Sequence, residues 1–338
     1  MRALILSFSL LVASMTAGCA GKHATPSKTV VAYVSEDQVF SEPLLRDFET
    51  STGIKVNAVF DTEEAKSTGV MNRLLAERGN PQADVYWANE PIRAEILKQQ
   101  GISLPYLSPQ AAEIPSGFKD PQGHWTGFSA RARLMVVRKD MKEKPQSVLA
   151  YTDARFKRQG VIANPLFGTT TAEIAALFTI WGDTHGQAFM NAMRNNGVRI
   201  STSNGESADF VASGEAQFSL VDSDDGFNRL KQGKPIEIIY PDQEEGGIGC
   251  MIVPNALLLI RGGPNQENAK KLIDFLLSPE SERKLAFSNA AQIPLHSGVE
   301  TPAGVPHIEN LKTMALNYAE VARKMQEIQP FLERWVQK

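Results

Sequence analysis

Residues 29–64, TVVAYVSEDQVFSEPLLRDFETSTGIKVNAVFDTEE, contain the pattern that decides the fold. The β-branched run TVVAYV predicts a strand, and apolar residues then recur at helical spacing up to Gly53, a residue suited to a helix C-terminus. IKVNAVF predicts a second strand. Strand and helix signals continue to alternate along the chain, which is typical of parallel α/β architecture. We therefore expect an α/β fold.

Polar residues follow the predicted strands where the strands end. Four strands end in acidic runs, and a fifth, GVIANP, ends in a small polar loop that opens a helix. Ligands of open α/β sheets lie outside the carboxyl ends of the strands, so these loops predict one shared cleft for a small solute or an ion. The runs are 35–37 (SED), 61–64 (DTEE), 89–90 (NE), 222–225 (DSDD) and 167–171 (FGTTT).

The first residues have the pattern of an export signal. Arg2 precedes the apolar stretch ALILSFSLLVA, which is too short for a stable transmembrane helix. Small residues then precede Cys19, an order that resembles a bacterial lipobox with Thr16 in place of the usual Leu. We expect a signal peptide over 1–18, lipidation at Cys19 and a tether over 19–28. The alternative is an ordinary secretory signal with an incidental cysteine.

Composition excludes several classes of protein. The net charge of −3 with interspersed acids and bases argues against nucleic-acid binding. Cys19 and Cys250 are the two cysteines, so lipidation leaves no intrachain disulfide, and Cys250 in the apolar run IGCMIV reads as a buried small hydrophobe. The histidines lack ligand spacing, which argues against structural zinc. No later apolar run is long enough to span a membrane.

Two long extended segments have the character of crossings between lobes. GFSARARLMVV and GGIGCMIVPNALLLI each begin with glycines that can absorb a change in backbone angles. The tail has an apolar helical stripe that predicts packing against the lobes. The expected division is 29–128 plus 250–300 for lobe 1, 135–245 for lobe 2, and 301–338 for a C-terminal helical segment.

Four blocks together resemble a known family. They are VVAYVSEDQVFSEPLLRDFETSTGIKVNAVF, NRLLAERGNPQADVYWANEP, GFSARARLMVVRKD and NAKKLIDFLLSPESERKLA. Their order is similar to that of family 1 extracellular solute-binding proteins of bacterial ABC importers, in the branch of the ferric-iron-binding proteins. The resemblance implies a type II periplasmic-binding-protein fold, in which two α/β lobes close on a ligand by hinge motion and deliver it to an ABC permease in the cytoplasmic membrane.

The resemblance also implies site residues. Glu90 stands at the family's metal-binding Glu, and Asp224 and Asp225 stand where the family has two adjacent tyrosines, a departure that weighs against ferric specificity. We assign Glu90, Asp224 and Asp225 to a metal. The remaining predicted ligand-binding residues are Glu36, Asp37 and Asp222 at strand ends, and, on the anion side, Arg131, Gly168, Thr169, Thr170 and Asn204.

Local structural roles compete with these assignments. Asp222 to Asp225 can cap the helix that follows, and Glu90 can cap the helix that begins at Pro91. Ser35 with Gln38, and Thr170 with Glu173, have the spacing of capping boxes. Arg131 and Arg133 face the same side of an extended segment, where they can either neutralise the acidic cleft or grip an anionic ligand.

Three functions follow from this pattern. The first is a lipid-anchored receptor, periplasmic or at the cell surface, for a hard cation such as Fe³⁺ with carbonate or phosphate. The second is the same receptor with an organic phosphate or other oxyanion as cargo. The third is a carboxylate-based hydrolase, and the sequence argues against it because it has neither a nucleophile elbow nor a histidine placed with a serine or cysteine. We expect no enzyme and no resident cofactor. We also expect a monomer that touches the membrane only through its lipid.

Overall fold

The computed structural model describes residues 28–61 and 68–337. The predicted signal peptide, the lipidation site Cys19 with the tether up to residue 27, and Glu63 and Glu64 of the second acidic run lie outside the described residues. Within the described residues, no helix combines the length and the apolar content needed to cross a bilayer.

The strands alternate with helices along most of the chain, as the sequence pattern predicts. The strands are β1 Thr29–Val34, β2 Lys55–Phe60, β3 Val85–Ala88, β4 Ser103–Leu104, β5 Thr126–Arg138, β6 Gly160–Ala163, β7 Arg199–Ser201, β8 Phe218–Asp222, β9 Ile236–Ile239 and β10 Ile252–Ile260. The α-helices are α1 Gln38–Thr52, α2 Thr68–Ala76, α3 Pro91–Gln99, α4 Gly168–Trp181, α5 Asp183–Asn195, α6 Asn204–Ser213, α7 Ser223–Lys231, α8 Gln266–Leu276, α9 Pro279–Phe287 and α10 Tyr318–Val336. Short 3₁₀ helices span Glu77–Gly79, Pro109–Ala111, Ser116–Phe118, Val148–Thr152, Ala154–Phe156 and Ile308–Asn310.

The strands form two lobes that share β5. The order is β2-β1-β3-β10-β5-β8-β6-β7, with β4 on β10 and β9 on β5. β1 is parallel to β2 and β3, and β10 returns antiparallel between β3 and β5, which makes lobe 1. β6 is parallel to β7 and β8, and β8 and β9 pair antiparallel with the second half of β5, which makes lobe 2.

β5 is the predicted crossing segment, and its arginines flank the crossing point. Arg131 pairs with Val253 of β10 in lobe 1, whereas Arg133 pairs with Asp222 of β8 in lobe 2. Both side chains are buried. Because successive residues of a strand point to opposite faces, the two side chains project to the same side, as predicted.

The period-2 pattern of β1 places its side chains in two cores. Val30, Ala32 and Val34 pack with the buried face of α1, whereas Tyr33 lies in the core that includes residues of α3 and α10. Helices therefore cover both faces of the lobe 1 sheet, as expected for parallel strands.

Two local predictions are wrong. α1 has Asp37 as its N-cap and no side-chain cap, since the Ser35 hydroxyl donates to Asp61 Oδ2 at 3.0 Å instead of forming a capping box. α4 begins at Gly168, so Thr170 lies inside its first turn and cannot be its N-cap.

The predicted C-terminal helical segment is helical only from Tyr318, and its helix α10 contacts both α3 of lobe 1 and α4 of lobe 2.

Candidate ligand-binding site

A cleft of about 1050 Å³ lies between the two lobes. The ends of β3 and β8, the first turns of α3, α4 and α7, and the middle of α10 form its walls. Glu36 does not line the cleft: it is buried, and its carboxylate accepts from Gln292 Nε2 at 2.8 Å. The other predicted residues do line it, and their roles in binding stay predictions. They are Asp37, Glu90, Arg131, Gly168, Thr169, Thr170, Asn204, Asp222, Asp224 and Asp225.

Arg133 organises the lobe 2 side of the cleft from beneath. Its side chain is fully buried, and Nε donates to Glu173 Oε2 at 2.8 Å while Nη1 donates to Asp222 Oδ1 at 3.2 Å. Burial by itself lowers the pKa of Arg133, but the charges of Glu173 and Asp222 outweigh burial and raise it. Glu173 is therefore a buried ion-pair partner. The predicted capping role for Glu173 is wrong.

Arg131 connects the two lobes at the base of the cleft. Its Nη2 donates to the carbonyl oxygen of Asn89 at 2.5 Å, and its Nη1 lies 3.7 Å from Asp222 Oδ2. Asn89 follows β3 in lobe 1, and Asp222 ends β8 in lobe 2. Burial acts to lower the pKa of Arg131, but Asp222 and Asp224 raise it, so the guanidinium remains charged.

Three of the predicted anion-binding side chains are engaged with one another and with Asp222. Thr169 Oγ1 donates to Asp222 Oδ2 at 2.7 Å, and Asn204 Nδ2 donates to Thr169 Oγ1 at 3.0 Å. Thr170 Oγ1 donates to Asn204 Oδ1 at 3.2 Å. Burial tends to raise the pKa of Asp222, but Arg133 and Arg131 lower it. Asp222 is thus an ionised carboxylate whose two oxygens already have partners in Arg133, Thr169 and Arg131.

The N-terminus of α4 keeps its backbone donors. The first N–H groups of a helix have no intrahelical acceptor, and the N-cap residue Phe167 offers them no side-chain acceptor either. Gly168 has φ of 63°, and a Cβ built on it meets no atom within 4 Å. A glycine in the left-handed region with open space in front of it lets a ligand approach the backbone closely.

Asp224 and Asp225 occupy the first turn of α7 and are less well compensated than Asp222. Burial, reinforced by Asp224 and Asp222, raises the pKa of Asp225 to about 8, although Arg229 lies 3.2 Å from its carboxylate. Burial also raises the pKa of Asp224, against the effect of Arg131. Carboxylate oxygens of Asp222, Asp224 and Asp225 lie within 4.8 Å of one another. This group favours a cationic or hydrogen-donating partner.

Glu90 is held by its own helix. As N-cap of α3 its carboxylate accepts from the N–H of Ile92 at 2.6 Å and the N–H of Arg93 at 3.1 Å, and Arg93 Nη1 donates to it at 2.9 Å. The capping role that competed with the metal assignment is therefore present. Glu90 still borders the cleft, but these bonds already use its oxygens.

Aromatic hydroxyls and imidazoles do not contribute to this cleft. Among the described residues that line it, neither a tyrosine nor a histidine is present. Tyr86 lies nearby in sequence but is fully buried, with its hydroxyl 2.9 Å from the Ser35 hydroxyl. The cleft instead combines carboxylates, arginines, hydroxyls and amides.

The comparison with protein families decides the class. Residues 88–320, more than half of the chain, match the model described as bacterial extracellular solute-binding protein. The chain is a bacterial extracellular solute-binding protein. Its type II two-lobed fold agrees with that membership. Proteins of this family bind solutes and are not enzymes. Membership of an extracellular family also implies that the protein is exported from the cytoplasm.

Similar proteins differ in the solutes for which they are named. Iron uptake protein A1 of Synechocystis is 27% identical over 79% of this chain and 77% of its own length. A putative 2-aminoethylphosphonate-binding periplasmic protein of Salmonella typhimurium is 25% identical over 81% of each chain. The structure of apo ferric ion-binding protein A from Pasteurella haemolytica superposes with a TM-score of 0.80 at 21% identity, over 91% of this chain and 98% of that one, which shows the fold.

Several cleft residues of the solute-binding protein escape sequence reasoning. Met325, Gln326 and Gln329 reach the cleft from α10. Helical spacing alone assigns Met325 to core packing, and nothing in the local sequence shows that α10 passes beside the cleft. Phe167 belongs to the strand-end loop 167–171 that the sequence predicts at the cleft, and it lines the cleft with its side chain 66% exposed.

Proposed function

We propose that this solute-binding protein is the receptor of an ABC importer and that its ligand is a small organic phosphate or phosphonate bound between the lobes. The observation that carries the proposal is the first turn of α4, which enters the cleft without a side-chain cap and behind the open space at Gly168. An uncapped helix N-terminus is a ready-made site for a phosphate or phosphonate group.

Two kinds of donor are available to the phosphorus group. The side chains of Thr169 and Thr170 are already directed to Asp222 and Asn204, so the donors of the first turn are its backbone N–H groups. Arg131 adds a charged donor, because Asn89 accepts one hydrogen bond from it and its contact with Asp222, at 3.7 Å, is an ion pair longer than a hydrogen bond. Charge-assisted bonds from a guanidinium are among the strong contacts to such oxyanions.

The organic part of the ligand faces Asp224 and Asp225. Their raised pKa values reflect buried negative charge with too few cationic partners. An amino group on the ligand supplies the missing charge, and ligand hydroxyls supply hydrogen bonds to the same carboxylates. The relative named for 2-aminoethylphosphonate supports a ligand that combines a phosphorus group with an amine.

The remaining parts of the proposal concern delivery. Arg131 contacts lobe 1 through Asn89 and lobe 2 through Asp222, so a ligand at this point influences the angle between the lobes. Hinge closure around the ligand then presents the closed form to the permease. Small-angle scattering should show a smaller radius of gyration with saturating ligand, and identical curves with and without ligand would contradict closure.

The lipid anchor at Cys19 is part of the same proposal. A lipid on Cys19 keeps the receptor beside its permease, with residues 20–28 as the tether. The variant Cys19→Ala should leave the membrane fraction and keep its ligand affinity. Retention of that variant in membranes washed with high salt would contradict the anchor.

The ligand proposal is tested by calorimetric titration with matched probes. The probes are 2-aminoethylphosphonate, ethylphosphonate, fructose 6-phosphate and inorganic phosphate. We expect an organic phosphorus compound to bind more tightly than inorganic phosphate. A preference for 2-aminoethylphosphonate over ethylphosphonate identifies the amine as the group at Asp224 and Asp225. The absence of binding by all of these compounds would overturn the proposal.

A hard cation is the second candidate, and a specific observation favours it. The convergence of Asp222, Asp224 and Asp225 provides oxygen ligands of the kind that hard metal ions prefer. Against it, Asp222 is neutralised by two arginines, and Glu90 is used as a helix cap. Titration with ferric citrate and with Ca²⁺ separates the two candidates, since binding of metal at least as tight as that of any phosphorus compound supports this one.

A further inference from the structure

The two ends of α10 are attached to different lobes. At its start, Tyr318 donates from its hydroxyl to the carbonyl oxygen of Ile252 at 2.7 Å, and its ring meets Trp125 of lobe 1 edge-on at 6.0 Å. At its end, Trp335 Nε1 donates to the carbonyl oxygen of Met190 in lobe 2 at 2.9 Å, and the ring of Phe331 lies 5.8 Å from that of Phe178. The middle of the helix must therefore pass from one lobe to the other beside the cleft.

The middle of α10 presents three side chains to the cleft. Met325, Gln326 and Gln329 line it, and their spacing of one and four residues places them on neighbouring faces of the helix. Buried residues such as Val321, Ile328 and Leu332 occupy the adjacent face that packs on the lobes. Met325 continues this packing stripe and also touches the core, whereas Gln326 and Gln329 lie beside it and are the polar side chains that α10 presents to the cleft.

The amides on this face have hydrogen-bonding capacity to spare. The side chain of Gln326 is exposed and makes no hydrogen bond to another described residue. Gln329 is half-buried, and its Nε2 donates only a long bond of 3.4 Å to Glu333. A glutamine side chain offers two donors and one carbonyl acceptor. These groups are neutral, whereas the two lobe walls carry the carboxylates and arginines.

We propose that α10 is a third wall of the ligand site and that Gln326 and Gln329 are specificity-determining residues that hydrogen-bond to hydroxyl groups of the ligand. The inference rests on the proposed function and deepens it. Neutral amides that can both donate and accept are matched by hydroxyls, whereas the phosphorus group is better served by the helix N-terminus and Arg131. The cleft volume of about 1050 Å³ leaves room for a ligand that reaches beyond the first turn of α4.

The test compares two ligands across three proteins. The double variant Gln326→Ala/Gln329→Ala is titrated with fructose 6-phosphate, which carries several hydroxyls, and with inorganic phosphate, which carries no organic part. Arg323→Ala is the control, because Arg323 is exposed on the solvent side of the same helix. Circular dichroism and the thermal midpoint confirm that all three proteins are folded.

We expect the double variant to lose affinity for fructose 6-phosphate about tenfold or more, as for the loss of two neutral hydrogen bonds. Its affinity for inorganic phosphate, and both affinities of Arg323→Ala, should stay within about twofold of wild type. Unchanged fructose 6-phosphate affinity in the double variant would overturn the inference alone. So would a wild type that binds 2-aminoethylphosphonate but no hydroxylated phosphate. A wild type that binds no phosphorus compound overturns the proposed function and this inference together.

Discussion

The two lobe walls of the cleft differ in how their polar groups are satisfied. On lobe 1, Glu90 accepts hydrogen bonds from two backbone N–H groups and from Arg93. On lobe 2, the first turn of α4 has no cap, and Asp225 has its pKa raised to about 8 by burial and neighbouring carboxylates. A group that is already satisfied gains little from a ligand. We therefore expect the main ligand contacts on lobe 2 and a closing role for lobe 1.

The largest effect on folding stability is expected from Arg133, which lies under the lobe 2 wall of the cleft. Arg133→Leu leaves Glu173 and Asp222 as buried carboxylates without their main partner, and this should cost about 3–5 kcal/mol of folding free energy. Arg93→Leu on lobe 1 should cost far less, because Glu90 keeps its backbone donors. Urea denaturation of both variants measures the difference. Equal losses would show that the two walls are supported alike.

The next prediction concerns ligand affinity. Arg131→Leu removes a charged donor from the base of the cleft and should weaken phosphonate or phosphate binding by about 10- to 100-fold, as for a hydrogen bond to a charged group. Glu90→Gln should change that affinity by less than about threefold, because Gln can still accept at the cap. Calorimetry on both variants makes the comparison. A greater loss in Glu90→Gln would favour the metal candidate, in which Glu90 is a ligand.

A pH-dependent effect is expected from Asp225. The pKa of Asp225 is about 8 in the fold against an ordinary value of 3.8, so between these two pH values the folded state keeps a proton that the unfolded chain has released. This contribution to stability is complete below the lower pKa and is lost as the pH rises through the upper one. Asp225→Asn should therefore be more stable than wild type at pH 8, by at least about 1 kcal/mol, and no more stable at about pH 4.

The control for Asp225 is a carboxylate in another first helical turn. Asp183 begins α5, is exposed and lies 2.9 Å from Lys324, so Asp183→Asn should show no gain at either pH. Thermal unfolding of the ligand-free proteins across this pH range checks the prediction. A gain of the same size in both variants would mean that reduced negative charge in general, rather than crowding in the lobe 2 wall, explains it.

The smallest effect separates strain from ligand contact at α4. Gly168→Ala and Gly182→Ala both introduce a side chain at positive φ with no atom within 4 Å, and each should cost about 1 kcal/mol of stability. Of these two glycines, Gly168 lines the cleft and Gly182 does not, so Gly168→Ala alone should also weaken ligand binding. Stability is measured by denaturation and affinity by titration. Equal affinities in the two variants would show that the phosphorus group does not bind at this helix end.

Much of this account is accessible from sequence because its causes are local. The strand TVVAYV coincides with β1, since β-branched alternation is a short-range signal. Polar strand ends predicted a shared cleft, because the topology of α/β sheets brings those ends together. The extended run that contains Arg131 and Arg133 predicts a crossing between lobes, and β5 pairs with β10 of lobe 1 and β8 of lobe 2.

The remainder depends on contacts between distant residues. Glu173 sits three residues after Thr170 and resembles a capping residue, but its partner is Arg133, which is far away in the sequence. The polar loop 167–171 and the Thr170–Glu173 spacing predict a helix that begins later than Gly168, where α4 begins, because Gly-Thr-Thr-Thr has the composition of a loop. The position of α10 beside the cleft is set by where its ends dock, and no pattern within the helix contains that information.

The claim that lobe 2 holds the phosphorus group can be tested directly by backbone amide NMR. In ¹⁵N-labelled protein with saturating 2-aminoethylphosphonate or fructose 6-phosphate, whichever binds more tightly, the amide protons of Gly168, Thr169 and Thr170 should move downfield as they donate to the ligand. The amides of Ile92 and Arg93, already bonded to Glu90, should move little. Large shifts at Ile92 and Arg93 with unchanged α4 amides would contradict the account.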